Sequence, residues 1–586
     1  MHIWTDTFIY PIAVFLPAVV AVLLAVPRLR RVLIVLGPLT ALPALWLAFT
    51  ADTGTQVTVP WLFFRARFGL DPTAQGFLAF TSLVWLAAAV FATGYIKKDD
   101  PQRGRFWAGF LLAMSGNFGL IMASDVFSFY FLFALMSFSS FALIVHSGAA
   151  DARRAGSVYI WLVVIGEAFV FSALLMAAHA GGSVSVTELA KGVAASPDRN
   201  LILALAFLGF GIKAGALPLH VWLPLAHPVA PTPASAVLSG CMIKAGLLGW
   251  LRIFPLGVIA LPGWGILLIV LGLSAAVAAV LVGLTQDKPK TVLAYSSISQ
   301  MGVMTTALGL GLLVPEKGPK IWQVIIIYAA HHAVAKGALF LSVGTAEMRI
   351  KGVAARIGHL VGLVLPAAAV MGAPLTGGAL AKGGLKYCAA AVAKTAPVAA
   401  PVKFLISLSA VGTVLIMVRF LYLIWPRRHA DTAPRVSTAA HLSWTLLVIA
   451  VALLYGWINF LPGLPVSIKQ GDPGLSLSSQ WPLLVGLAIS AWVILSKFRR
   501  PFSFPEGDVL KVYVRVLTAS REAALAVTGK LAEAQQRLRV RVSDIFFAAI
   551  DKAKVIETTA LRLTAWPVFG VVFMTLLVMF FIVMKL

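Results

Sequence analysis

Cysteine is nearly missing from this 586-residue chain: Cys241 and Cys388 are the only two, and each stands alone in an apolar stretch. That excludes a disulfide framework and an iron–sulfur cluster carried by this chain alone. Charge is scarce as well, at 12% of residues, and acid most of all, with 22 Asp+Glu against 47 Lys+Arg. The formal charge of +25 does not point to nucleic acid, because the basic residues sit in short loops between apolar runs rather than in one patch. The start, "MHIWTDTFIYPIAVFLPAVV", has neither a basic n-region nor a small-residue cleavage site. It reads as a retained first helix rather than a signal peptide.

What is abundant is apolar surface: 60% of residues are hydrophobic and the mean hydropathy is +0.93. A soluble core cannot use that much, so the expected class is an all-α polytopic membrane protein. At about twenty apolar residues per crossing, roughly sixteen spans fit. Their approximate limits are 8–26, 32–50, 74–95, 106–123, 126–146, 157–178, 201–222, 233–254, 260–284, 291–313, 322–345, 358–392, 401–426, 440–462, 480–496 and 566–584. Alternate loops carry the charge: "PRLRR", "KKDDPQRGR", "DARR", "DKPK", "RIKGVAAR", "PRRH" and "KFRR" fall on one side. The positive-inside rule makes that side cytoplasmic and places the N-terminus outside a bacterial-type cytoplasmic membrane.

Residues 508–557 do not fit a span. Charges run throughout, and Val509, Val512, Val516, Leu531, Leu538 and Ile545 recur at helical intervals. This is an amphipathic helix lying along the cytoplasmic surface. If continuous it extends about 75 Å at 1.5 Å per residue. A clamp on neighbouring helices or subunits is the better reading, since a chain with so many spans needs no further anchor. The domain plan is then a three-helix segment (1–105), two repeats (106–256 and 257–426), additional spans (427–507), the lateral helix (508–557) and a final anchor (558–586).

Ionisable residues inside spans mark ion paths by default, because even lenient scales charge about 2.5–3.5 kcal/mol for an ammonium at the bilayer centre. Here they are Glu167 in "WLVVIGEAFVF", Lys213 in "FLGFGIKAGALPLH", Lys244 in "SGCMIKAG", His331, His332 and Lys336 in "HHAVAKGALFL", and Lys382 after "GAPLTGG". Near the cytoplasmic ends stand His220, His227, Asp287 and Lys290. Snorkelling explains Lys290 and Lys386 as readily as a role does, but Lys213 and Lys244 are too central for it. His331 and His332 point to different faces of one helix and no third ligand is in sight, so a metal is not expected. "GFGIKAG" looks like a phosphate loop, but no strand precedes it.

Prolines 218, 224, 228, 231 and 233 crowd the end of the seventh span, and "GAPLTGG" interrupts the twelfth. Broken helices in corresponding halves point to an ion path. Their five-span separation suggests two inverted five-helix repeats.

"KAGALPLHVWLPLAHPVAPTPASAVLSGCMIKAG", "DKPKTVLAYSSISQMG", "HHAVAKGALFL" and "GAPLTGGALAK" resemble the antiporter-like proton-translocating subunits of the complex I superfamily. That group includes membrane subunits of NADH:quinone oxidoreductase, of membrane-bound hydrogenases and formate hydrogenlyase, and of multisubunit cation/proton antiporters. The resemblance covers roughly residues 70–425. It implies that Lys213 is the proton-holding group of a first half-channel and Lys244 a connecting residue. His332 and Lys336 match a polar pair, Lys382 an exit lysine, and Asp287 and Lys290 the cytoplasmic end of the ninth and tenth spans. It further implies no cofactor in this chain. The partners would be other membrane subunits, clamped by the lateral helix, and peripheral redox subunits. A lysine in low dielectric gives up its proton far more readily than an exposed one, as a relay needs.

One position departs. The resemblance calls for a glutamate ahead of "LMSFSSF", and Ala134 stands there instead. Either Glu167, on the sixth span, takes over as partner of Lys213, or the site no longer works by the usual scheme, or Glu167 merely faces a neighbouring subunit. The first is preferred. The implied function is a proton- or sodium-translocating subunit of a redox-driven respiratory or hydrogenase-type complex. The alternatives are a redox-independent cation/proton antiporter or inorganic-carbon uptake complex, and a structural spacer.

Overall fold

Proline and aspartate start several of the helices, where the sequence supplies a residue that needs no partner or caps an orphan donor. Asp71 accepts from the Ala74 amide ahead of Pro72. Asp125 accepts from the Ser128 amide and hydroxyl at 2.9 and 2.7 Å and from the Arg67 amide at 2.8 Å. The computed structural model describes residues 2–62, 64–346, 353–425, 437–457, 476–496 and 504–507.

The first half contains α1 (His2–Leu23), α2 (Pro27–Leu36) and α3 (Leu42–Thr50), then an antiparallel hairpin of β1 (Gln56–Val59) and β2 (Ala66–Gly69) with Val57 opposite Phe68. There follow α4 (Pro72–Tyr95), α5 (Arg103–Met122), α6 (Val126–Ile144), α7 (Ala150–Gly181), α8 (Leu189–Ala195), α9 (Arg199–Ala214) and α10 (Trp222–Val229). Next come α11 (Thr232–Val237), a π-helical turn (Leu238–Met242) and α12 (Ile243–Ile253). The second half contains α13 (Pro262–Leu284), α14 (Pro289–Leu313), α15 (Gly318–Ala346), α16 (Val353–Met371), α17 (Gly377–Ala393) and α18 (Val402–Ile424). Two further helices are α19 (Thr438–Trp457) and α20 (Leu477–Leu495).

Among the described residues nine helices are long and apolar enough to cross a membrane, and three shorter ones are apolar. The expected lateral helix over 508–557 and the last span at 566–584 lie outside the described residues. The expected span 201–222 stops early, α9 closing at Ala214 and α10 beginning only at Trp222, and the interruption expected within 358–392 separates α16 from α17.

Polarity runs inside out. In α14 every residue from Thr291 to Leu313 is buried, including Ser296, Ser297, Ser299, Gln300, Thr305 and Thr306. In α15 every residue from Val324 to Thr345 is buried, among them His331, His332 and Lys336. The exposed faces are apolar instead, as with Val164 and Ile165 of α7 and Val270 and Leu281 of α13. Apolar surface faces lipid at no cost, while polar groups are matched within protein. Small residues allow the close helix approach this needs: a Cβ on Gly272 of α13 would lie 2.5 Å from the Gly302 carbonyl of α14.

Candidate functional site: a line of buried lysines

The first break sits at Gly215. Its φ of +70° ends α9 in the left-handed region that favours glycine, and a Cβ there would also have to displace the Leu223 side chain. The Trp222 indole donates to the Ile212 carbonyl at 2.7 Å, meeting one acceptor at the helix end. Lys213, in the last turn of α9, is 3% exposed. Its Nζ donates to the Tyr159 hydroxyl at 3.1 Å, and that hydroxyl donates to the Ser137 carbonyl at 2.8 Å.

Glu167 shares α7 with Tyr159 and is also buried. It makes no direct ion pair with Lys213 among the described residues, but acts through space on Lys213, Tyr159 and Tyr130 and lies beside the Ser137 side chain. Glu167 Oε2 and Ser137 Oγ are both buried without a hydrogen bond of ordinary geometry. Tyr130, Ala134 and Ser137 follow one another at four and three residues along α6, so they share a face. Glu167 therefore approaches the face of α6 on which the expected acid is missing.

In the middle of the line both lysines are hydrogen-bonded. Lys244 Nζ donates to the Ser239 carbonyl at 2.6 Å, within the π-helical turn, a geometry in which carbonyls are freed from the regular ladder. The Ser239 and Ser297 hydroxyls pair at 2.7 Å, Ser297 Oγ donates to the Leu293 carbonyl at 3.0 Å, and Lys336 Nζ donates to the same carbonyl at 3.0 Å. His332 is fully buried with neither ring nitrogen partnered, and Lys244, Lys336, His331 and Lys382 all act on it through space.

The second break is built differently. Gly372 (φ +90°) ends α16, and Thr376 caps α17. A Cβ on Gly378 would lie 1.8 Å from the Ala369 carbonyl and 2.9 Å from His331 Nε2, so α15, α16 and α17 converge there. Lys382 Nζ donates to the Val370 and Met371 carbonyls at 2.8 and 3.0 Å, neutralising the end of α16. Beside it is a cavity of about 30 Å³, lined in part by Lys382, Lys386, Ser479 and Gln480, enough for a water or two.

Of the residues expected near the entrance, His227 is fully buried, stacked on Phe340 at 4.5 Å, and acted on by Lys290, Lys336 and Lys244. Lys290 donates to the Ala230 carbonyl at 2.8 Å at the end of α10. His220 is buried in the turn after α9. Asp287 stands apart: its side chain is 70% exposed and bound by Arg419 at 2.8 Å, a surface ion pair.

A family described as NADH:quinone oxidoreductase/Mrp antiporter, TM, matches residues 123–407. The span contains both breaks and every lysine of the line. Over this span the chain is similar to the antiporter-like subunits of the complex I superfamily.

Hydrogenase-4 component B of Escherichia coli (strain K12) is 28% identical over 302 residues, covering 50% of this chain and 45% of that protein. A putative antiporter subunit of Staphylococcus saprophyticus is 30% identical over 354 residues, covering 56% and 44%. NADH-quinone oxidoreductase subunit N of Desulforudis audaxviator is 32% identical over 286 residues, covering 47% and 55%. The chain thus spans about half the length of the curated relatives it matches. Among solved structures, a chain of the Mrp complex from Dietzia sp. DQ12-45-1b has a TM-score of 0.73 at 22% identity, covering 95% of this chain and 63% of that one. A chain of the membrane-bound sulfane sulfur reductase, an archaeal respiratory membrane complex, has a TM-score of 0.67 at 20% identity, covering 97% and 99%. These two likenesses establish the fold.

The residues of the site that sequence reasoning missed are hydroxyls: Tyr159, Ser137, Ser239 and Ser297. Tyr159 was within reach, because it precedes Glu167 by eight residues, close to two helical turns. Nothing in the sequence marks Ser239 and Ser297, on separate helices, as a pair.

Proposed function

We propose that the chain moves protons, or sodium ions, across the membrane as one subunit of a redox-driven respiratory or hydrogenase-type complex. The observation that carries this reading is the line itself. Lys244 and Lys336 are buried and linked through Ser239, Ser297 and the Leu293 carbonyl, and Lys382 lies beyond the two histidines. Buried ammonium groups without matching carboxylates are costly, and ion transfer is what gives such groups a use. In this reading Lys290 and His227 lead inward, His331 and His332 join Lys244 to Lys382, and the cavity at Lys382 and Lys386 leads out. Glu167 takes the part left open at Ala134, approaching Lys213 from α7. The likeness to hydrogenase-4 component B and to a respiratory-complex chain matched over 99% of its length supports redox coupling. The antiporter relative and the higher TM-score to the Mrp chain support the second reading, a redox-independent cation/proton antiporter.

The domain plan belongs to the same proposal: inverted repeats over 106–256 and 257–426, each with one broken helix, and a cytoplasmic lateral helix over 508–557 that holds neighbouring subunits in a bacterial-type cytoplasmic membrane. Two experiments test it. Full-length protein in proteoliposomes under an imposed pH step should lose flux on Lys213→Met and on Lys382→Met, and unchanged flux in both refutes the relay. Mass spectrometry of what co-purifies from the native membrane decides the coupling. Hydrogenase or quinone-reductase subunits support the redox reading, and antiporter-type or carbon-uptake subunits overturn it.

A further inference from the structure

We infer that Tyr159 is a positioning residue that keeps Lys213 hydrogen-bonded in both of its protonation states, in place of the carboxylate that the resemblance calls for at Ala134. The inference rests on the relay reading of Lys213 but not on any role for Glu167.

A carboxylate on α6 would hold only the ammonium form, because it accepts hydrogen bonds and cannot donate. A phenol does both. In the structure Tyr159 accepts from Lys213 Nζ at 3.1 Å while giving its own proton to the Ser137 carbonyl at 2.8 Å. When Lys213 is a neutral amine, the same hydroxyl hydrogen turns to the lysine lone pair. The Ser137 carbonyl can release it at little loss, since it lies inside α6, where the helix ladder supplies an amide donor.

The ring is held for this task. Tyr159 is 1% exposed and stands edge-on to Trp222 at 5.1 Å. The Trp222 indole is in turn fixed to the Ile212 carbonyl, the residue before Lys213. Tyrosine, tryptophan and lysine thus form a closed set in which the lysine head need not move to change partner. The ionisable groups set against Lys213 are Tyr159, by its hydrogen bond, and Glu167, through space, both on α7.

The test uses the full-length protein in proteoliposomes loaded with a pH-sensitive dye, with flux followed after pH steps over a range of starting pH. Tyr159→Phe keeps the ring against Trp222 and removes the hydroxyl. Flux should fall about tenfold, the worth of one hydrogen bond to a charged group, and the half-maximal pH should move toward acid because the ammonium form loses its acceptor. A fluorinated tyrosine incorporated at position 159 keeps size and hydroxyl but accepts more weakly and donates more strongly. It should keep most of the flux and move the profile the same way by less, and it serves also if Tyr159→Phe fails to insert stably. Profiles that coincide with the unmodified protein overturn the inference. Lys213→Met separates the two failures. If it abolishes flux while both tyrosine changes are silent, only the role of Tyr159 falls; if it too is silent, the relay reading falls first.

Discussion

At the first break Lys213 meets a side chain, Tyr159, with a carboxylate close by. At the second break Lys382 meets main chain, the carbonyls of Val370 and Met371. Both lysines lie at the carboxyl end of a half-helix, where the backbone carries partial negative charge, and the resemblance between the sites ends there. A phenol suits either state of its lysine. Two carbonyls suit only the ammonium, so a neutral Lys382 must release them or leave them bare. In the proposed relay the first lysine changes state in place and the second by moving, with a small cavity lined in part by Lys386, Ser479 and Gln480 beside it.

The largest expected effect breaks both sites at once and then separates them by stability. Lys213→Met and Lys382→Met should each reduce proton flux to background. Lys382→Met also leaves two buried carbonyls without a donor, at about 1–3 kcal/mol for an unsatisfied group. Lys213→Met leaves a tyrosine that still has the Ser137 carbonyl. A thermal melt of the purified protein should therefore fall more for Lys382→Met. Equal melts would mean that the carbonyls at the end of α16 find water instead.

Next in size is Ala134→Glu, which gives the first site the acid that the sequence resemblance calls for. A carboxylate on the face of Tyr130 and Ser137 favours the ammonium form of Lys213. The pH of half-maximal flux should rise by about one unit for each 1.4 kcal/mol of added stabilisation. With Glu167 close by, the two carboxylates should also compete, so Glu167→Gln in this background should lose much less flux than Glu167→Gln alone. If it loses as much, Glu167 is not standing in for the missing acid.

How much of this was legible in the sequence follows from how local each feature is. Lys213, Lys244, Lys336 and Lys382 stand out because charge within an apolar run is costly whatever the fold, and all four are buried. The breaks were legible at Pro218 and "GAPLTGG", since proline and glycine act on their own backbone. What was not legible lies between helices. Whether Glu167 touches Lys213 depends on the rotation of α7 against α9, and the structure puts Tyr159 on the lysine and leaves Glu167 one step away. Asp287 shows the converse. Its position beside "KPK" suggests an entrance group, yet Arg419, on α18 and far away in sequence, holds it at the surface.

A smaller effect should come from the link between the two sites. Ser239→Ala and Ser297→Ala each remove one hydroxyl of the pair that joins Lys244 to Lys336, without touching either lysine. The Ser239 carbonyl that holds Lys244 remains. Loss of one buried neutral hydrogen bond is worth about 1 kcal/mol, so flux should fall several-fold rather than vanish. The double change should cost little more than Ser297→Ala alone, because that change already removes the shared bond together with the Ser297 bond to the Leu293 carbonyl. Additive losses would mean that the Ser239 hydroxyl has a partner besides Ser297.

The smallest effect tests the cavity that distinguishes the second site. Gln480 reaches it from α20, with its amide 3.4 Å from the Gly372 carbonyl, and Lys386 lines the same space. At about 30 Å³ the cavity holds a water or two only if polar groups surround it. Gln480→Leu keeps the size of the side chain and removes two of those groups, so the water should leave while the packing of α20 survives. If Lys382 releases its proton through that water, flux should drop a few-fold, and Lys386→Gln, which leaves a polar lining, should cost less. The first site needs no such cavity, because its lysine has a hydroxyl partner in both states. Flux unaffected by Gln480→Leu would place the exit of Lys382 elsewhere and make the two breaks more alike than their hydrogen bonds indicate.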